Sequence, residues 1–202
     1  MSDFPEFKSF AKIARLSREI VITEKIDGTN GLIYIDEQNN IFAGSRNRWL
    51  WGSIQEEIHN DNHGFAAWVK ENQKKLLQLG PGYHYGEWAG QGIQRNYGLK
   101  EKRFYLFNIN KWWDRERNGE LKEGATQEYC PSCCYVIPIL YKGVFNTEAI
   151  ENVLNNLKKE GSVAVPGFMK PEGIVIFHKA SGQLFKKTIL NDEKPKNQNE
   201  HS

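Results

Sequence analysis

Residues 20–36 read IVITEKIDGTNGLIYID, and the fold is decided here. Residues 20–23 and 32–35 are β-branched and apolar, the composition of strands. Asp27-Gly28, between them, is a turn signal. Lys25 therefore stands at the end of one strand, just before the chain changes direction. A lysine so placed can be partly buried and still point into a cleft. Its amine is a nucleophile only when neutral, and at a reference pKa near 10.4 roughly one lysine in 2,500 is neutral at pH 7. Chemistry at Lys25 would require burial or neighbouring cations. The same residues also read as a surface hairpin with an incidental lysine.

Outward from this stretch, strands and helices intersperse. Asn39-Asn40 gives the next turn, before a short strand, IFAG, at 41–44. Residues 53–79 are expected to be mostly helical. Their second half, FAAWVKENQKKLLQLG, has apolar residues at 65, 66, 69, 76, 77 and 79 and stops at Gly80-Pro81. Residues 83–88 and 103–109 read as strands separated by a glycine-rich loop, and 111–128 as a charged, solvated loop. Strand character resumes at 135–141, and 147–160 is a helix with Thr147 as its cap. Residues 173–178 and 183–189 form a last hairpin around Ser181-Gly182. From 191 the chain, NDEKPKNQNEHS, has the composition of a frayed tail. The expected class is α+β with antiparallel sheets, as one body over 1–190 and a tail over 191–202.

The bulk numbers agree. The chain has 202 residues, with 27 Lys and Arg against 25 Asp and Glu, the size of one domain. It is long enough to bury roughly 70% of its unfolded surface. No apolar run approaches the roughly 18 residues of a membrane helix; the longest, 133–141, contains Pro138. The opening MSDFPEFKSF lacks the features of a signal peptide. Three cysteines within five residues are not a disulfide framework. Cys130, Cys133 and Cys134 contain one CxxC pair, and His59, His63, His84 and His178 stand at no diagnostic spacing to complete a zinc site. Reduced thiols and a cytosolic location, in a viral or host cytosol, are expected. A net charge of +2 does not by itself point to nucleic acid.

Three further segments carry candidate chemistry. In YHYGEWAGQGIQRNY, 83–97, Glu87 sits beside Trp88 ahead of a glycine-rich loop holding Arg95. Carboxylate, aromatic ring and flexible loop suit a ribose hydroxyl and a base, though a core strand with a solvent-facing glutamate reads the same. In PEGIVI, 171–176, Glu172 precedes an apolar strand, at a cleft mouth where it can meet a divalent metal. In LFKKTI, 184–189, alternation puts Lys186 and Thr188 on one face and Lys187 on the other. Either a lysine aims at a phosphate or lysines guard an edge strand. Trp112-Trp113 and Arg117 offer stacking and phosphate contacts, or belong to a loop that packs its tryptophans on the body.

The order of these pieces is more specific than any one of them. Lys-x-Asp-Gly-x-Asn at 25–30 is followed by Ser-Arg-Asn at 45–47, Tyr-Gly-Glu at 85–87, an aromatic strand, Glu-Gly-Ile-Val-Ile at 172–176 and a lysine strand. That series resembles the covalent nucleotidyltransferases, the ATP-dependent polynucleotide ligases and the mRNA capping guanylyltransferases, over roughly 20–190. DNA ligases and capping enzymes usually end the first motif with Arg, and RNA ligases of the T4 RNA ligase 2-like type end it with Asn. Asn30 gives the chain the look of an ATP-dependent RNA ligase. The resemblance implies an α+β nucleotidyltransferase (ATP-grasp-like ligase) domain, its antiparallel sheets flanked by helices.

The resemblance also implies roles. Lys25 would attack the α-phosphate of ATP and become lysyl-AMP; the adenylate would pass to an RNA 5′-phosphate, and a 3′-hydroxyl would displace AMP. Lys186 would neutralise the phosphate and ease the loss of a proton from Lys25. Asp27 is grouped with them as catalytic. Glu172 would bind Mg2+ or Mn2+, offsetting charge on the phosphates. Glu87 would accept from the ribose, and Phe107 would stack on adenine, although Phe104 and Tyr105 offer the same chemistry. Glu24, Asn30 and Arg46 complete the contacts, Asn30 and Arg46 gripping a phosphate near the nick. Thr188 stands where the family commonly has a second lysine, and the chain ends about a dozen residues later. A minimal form without a C-terminal domain is expected, acting on RNA ends or a nicked duplex, without a membrane and with or without a protein partner. The alternatives are a GTP-dependent capping-type guanylyltransferase and an inactive nucleotide- or RNA-binding module.

Overall fold

In the computed structural model, which describes residues 6–54, 57–190 and 192, the two strands of the opening stretch never pair with each other. β1 (Glu19–Lys25) joins a four-stranded sheet and β2 (Thr29–Ile35) a six-stranded one. Asp27-Gly28 is therefore a crossing between sheets, not the turn of a hairpin. Gly28 makes the crossing possible: a Cβ there would lie 2.4 Å from the Trp88 carbonyl oxygen.

The chain continues through β3 (Ile41–Gly44), β4 (Trp49–Gly52), α1 (Phe65–Glu71), α2 (Gln73–Leu76), β5 (Gly82–Gly90) and β6 (Lys102–Leu106). There follow β7 (Trp112–Trp113), α3 (Arg115–Asn118), β8 (Glu128–Tyr129), β9 (Cys134–Val136) and β10 (Ile139–Val144). Last come α4 (Thr147–Glu160), β11 (Gly173–His178) and β12 (Gln183–Thr188). One sheet runs β10-β1-β11-β12 and the other β4-β3-β2-β5-β6-β9. The class is mixed α/β with mainly antiparallel pairing. Against expectation, β6–β9 and the small β7–β8 pair are parallel.

Alternation assigns each sheet its inner face. Ile20 and Ile22 of β1 and Ile174 and Ile176 of β11 pack with Ile150, Leu154 and Leu157, one stripe of α4. Each such buried side chain contributes about 1.5–3 kcal/mol. The opposite face of β1, with Val21, Thr23 and Lys25, is left for the site. On the larger sheet Ile33, Ile35, Ile41, Ala43, Phe104 and Leu106 pack with Phe65, Ala66 and Val69 of α1. A third cluster of Ile26, Ala89, Tyr97, Leu99, Tyr105 and Ala164 forms the seam between the sheets.

Several elements depart from expectation for local reasons. Residues 55 and 56 lie outside the described residues; among the rest of 53–79, helix begins at Phe65, because Asn60, His63 and Gly64 take positive φ values of 43°, 53° and 80°. The Asp61 carboxylate accepts instead from the amides of Ala66 and Ala67, at 2.7 and 3.1 Å. The expected strand at 135–141 splits at Ile137-Pro138, with β9 and β10 in different sheets. The Pro138 carbonyl accepts from Glu24 N at 3.1 Å, bridging that break. The segment 111–128 holds β7 with Trp112 buried, and α3, capped by Asp114 through Arg117 N. The cap of α4 is Asn146 rather than Thr147; its Oδ1 accepts from Glu148 N at 2.8 Å. Apart from Asp192, the expected tail lies outside the described residues. No described helix is long and apolar enough to cross a membrane.

Candidate nucleotide site

Antiparallel register puts Lys25, the last residue of β1, opposite Gly173, the first of β11. Glu172, one residue earlier, meets it: Lys25 Nζ donates to Glu172 Oε2 at 2.7 Å. The Glu172 side chain is only 3% exposed and that of Lys25 19%, so the lysine is the more accessible of the two. Tyr97 fixes both backbones. Its hydroxyl donates to the Lys25 carbonyl at 3.0 Å and accepts from Glu172 N at 3.2 Å. Burial raises the Tyr97 pKa far above its ordinary value, so the ring keeps its proton and acts as a neutral donor.

The amine opens on a cavity of about 430 Å³. Its apolar wall is Val21, Val175, Phe177 and Leu184 from the smaller sheet; Asn30, Glu87 and Phe107 approach from the larger. Phe107 follows the end of β6 and faces this space, whereas Phe104 and Tyr105 are fully buried. Of the three aromatics, Phe107 alone lines the cavity. Glu87 Oε1 accepts from Gly28 N at 3.0 Å, and register sets Asn30 opposite Glu87.

Lys186 pairs with Val175, which pairs with Thr23, so all three side chains share the face that carries Lys25. Lys186 is exposed and has no ion-pair partner among the described residues. Lys187 points the other way, to Glu151 of α4, at 2.8 Å. The alternation read from the sequence therefore holds.

Other expected residues have structural partners. The Glu24 carboxylate is 1% exposed and accepts from Ser162 Oγ, Val163 N and Ala164 N at 2.6, 2.8 and 2.9 Å. It anchors the loop after α4, and Glu24 is also among the residues that line the cavity. Burial raises its pKa, its hydrogen bonds opposing the shift. Asp27 accepts from Arg95 Nε at 2.9 Å, which ties the glycine-rich loop to the sheet crossing. Arg46 lies in the exposed β3–β4 turn and does not line the cavity. Among the described residues no group of three or more His, Cys, Asp and Glu side chains can hold a metal ion. Cys133 and Cys134 Sγ lie 4.0 Å apart, and burial pushes the Cys130 thiol up to about 12. Sequence reasoning missed Tyr97 and Ser162; nothing local marks a residue that works 72 or 138 positions from its partner.

Comparison with known proteins adds to this geometry. The RNA ligase family model matches residues 18–188. No curated protein matches the chain. Among solved structures, a ligand-free lysine-to-alanine variant of a Naegleria gruberi RNA ligase is 24% identical with a TM-score of 0.57, over 92% of this chain and 57% of its own. A second variant, solved with ATP and Mn, is 24% identical with a TM-score of 0.54, over 84% of this chain and 48% of its own. A lysine-to-methionine variant with AMP and Mn is 23% identical with a TM-score of 0.55, over 92% and 57%. This chain thus spans about half the length of the structures it matches, and likenesses at this identity concern the fold.

Proposed function

The chain belongs to the RNA ligase family, and on that premise we propose that it is an ATP-dependent RNA ligase acting through a covalent lysyl-AMP at Lys25. Residues up to 190 would form an adenylyltransferase domain of the nucleotidyltransferase fold. The observation that carries this reading is the Lys25–Glu172 pair, 2.7 Å long, at the mouth of a cavity walled by Phe107 and Glu87.

The chemistry follows from these groups. An ammonium has no lone pair, so Lys25 must give up a proton before it attacks, and Glu172 Oε2 is within hydrogen-bond reach to take it. Nζ then bonds to the α-phosphorus as the bond to pyrophosphate breaks, and the second amine proton leaves. Lys186, on the same sheet face, supplies positive charge to the phosphates. Phe107 stacks on the adenine and Glu87 accepts from the ribose. Asn30 and Arg46 serve the later steps, in which AMP passes to an RNA 5′-phosphate and a 3′-hydroxyl displaces it.

Relatives solved with ATP and Mn support ATP as the nucleotide and a divalent ion beside it. Glu172 is the carboxylate beside the cavity mouth that would hold a hard cation such as Mg2+. Such an ion would offset phosphate charge.

Intact-protein mass spectrometry after incubation with ATP or GTP and magnesium tests the reading. An added AMP that vanishes in Lys25→Ala is expected. An added GMP would turn the assignment to a capping-type enzyme, and no adduct from protein free of AMP would end the covalent mechanism.

A further inference from the structure

The site uses only part of one face of the larger sheet. Register puts Asn30 opposite Glu87, Leu32 opposite Tyr85, and Tyr34 between Tyr83 and Phe42. Opposed residues share a face, so one continuous surface runs from the cavity outward. At its inner end Ala89 and Tyr105 are sealed in the seam. In the middle Asn30 and Glu87 line the cavity. Beyond them the face opens to solvent, and what it presents is aromatic.

Tyr83 and Tyr85 are 58% and 56% exposed, and Trp49 is 49% exposed. Tyr34 stacks on Tyr83 with centroids 4.5 Å apart, and the Tyr83 and Tyr85 rings are nearly parallel, 13° apart. Phe42 and Trp49 continue the row at 5.9 Å. These rings brace one another, so little ordering remains when a flat group settles on them. At the rim of this face the β3–β4 turn carries Arg46 and Arg48, both exposed, and residues 38–54 contain no acidic side chain.

Resting on the ligase reading, we propose that this face holds unpaired RNA next to the end being joined, its bases stacked on the Tyr83–Tyr34–Trp49 row and its phosphates met by Arg46 and Arg48. Three features favour nucleic acid over a second copy of this chain: the surface is continuous with the nucleotide cavity, the β3–β4 side of its rim is cationic, and the exposed rings are chiefly tyrosine and tryptophan. The strand must be unpaired because a duplex keeps its base faces stacked on one another, out of reach of side chains. From Asn30 to Tyr34 the distance is about 13 Å at roughly 3.3 Å per residue, room for about two or three bases, as on other sheet platforms. The substrate class this assigns is an RNA with a single-stranded segment at the junction rather than a fully paired nick.

The test compares binding of a fluorescent single-stranded oligoribonucleotide and of a blunt RNA duplex to the parent, Tyr83→Ala, Tyr83→Phe and Trp49→Ala. Adenylate transfer to Lys25 from ATP serves as the fold control. Tyr83→Ala and Trp49→Ala should each weaken single-strand binding roughly tenfold, Tyr83→Phe should keep it, and the parent should bind the duplex more weakly. Undiminished single-strand binding in the alanine variants, or equal affinity for the duplex, would overturn the proposal. So would a parent dimer that Tyr83→Ala dissociates without loss of RNA affinity, since the occupant would then be a second copy. Failure of the adenylate to form in the parent would count against the ligase reading alone, because the binding comparison still decides what this face holds.

Discussion

The Tyr97 hydroxyl donates to the Lys25 carbonyl at 3.0 Å, across 72 positions of sequence, so the backbone of Lys25 is held by a ring from another sheet's loop. The same oxygen accepts from Glu172 N. Tyr97→Phe keeps the packing on Phe168 but deletes both bonds. The expected cost is about 2 kcal/mol, a fall in Tm of roughly 4–8 °C. As a positioning residue, Tyr97 should affect the rate of adenylate formation and leave the KM for ATP near its parent value. A rate equal to the parent's would show that the ring only packs.

Lys25 has a structural duty beside the chemical one proposed for it, and two substitutions separate them. Lys25→Ala takes the ammonium away from the carboxylate of Glu172, which is 3% exposed. Removing one partner of a buried pair costs about 3 kcal/mol. Lys25→Arg should recover most of that stability while still forming no adenylate, since a guanidinium does not deprotonate. Urea denaturation alongside mass spectrometry reads both; an Arg variant as unstable as the Ala variant would contradict the structural role.

Glu24 makes stability depend on pH. Burial raises its folded pKa above the ordinary 4.5. A carboxyl with a raised pKa holds its proton more tightly when folded, so its stabilising contribution is full below 4.5 and is lost as pH rises through the folded value. Glu24→Gln removes that titration. The stability of the parent relative to the variant should therefore increase as pH falls from neutral towards 4.5, measured by urea midpoints across that range. A difference that stays flat, or runs the other way, would refute it.

Gly28→Ala addresses the crossing. The new methyl would sit 2.4 Å from the Trp88 carbonyl oxygen and 2.9 Å from the Ala89 side chain. Backbone has to shift, at an expected 1–3 kcal/mol, about the usual cost of overpacking. Because Gly28 N also donates to Glu87, adenylate formation should slow with the loss of stability. Parent-like stability would mean that the crossing relaxes freely.

Local patterns carried much of this into the sequence. IFAG at 41–44 and GIVIFH at 173–178 are strands within the bounds read from composition, and the helix at 147–160 is where its periodicity put it. Lys25, Glu87 and Phe107, far apart along the chain, line one cavity, and Glu172 meets Lys25 beside it. What was not legible is pairing. The composition of residues 20–35 says that two strands flank Asp27-Gly28, but nothing in it says that each has a different sheet for a partner. The bonds from the Glu24 carboxylate to Ser162, Val163 and Ala164 span about 140 positions and were equally illegible. Tyr97 gave no signal because its φ of 45° and its two backbone contacts arise only once the sheets have met.

The three residues from Ile26 to Gly28 leave the chain almost no slack between the strand that ends in Lys25 and the strand whose Asn30 faces Glu87. The short span works as a calliper. With Ile26 gripped in the seam and Gly28 pressed on Trp88, its jaws are set by the interior of the protein, and no ligand is needed to measure the gap. A nucleotide that fits one jaw is already at the right distance from the other.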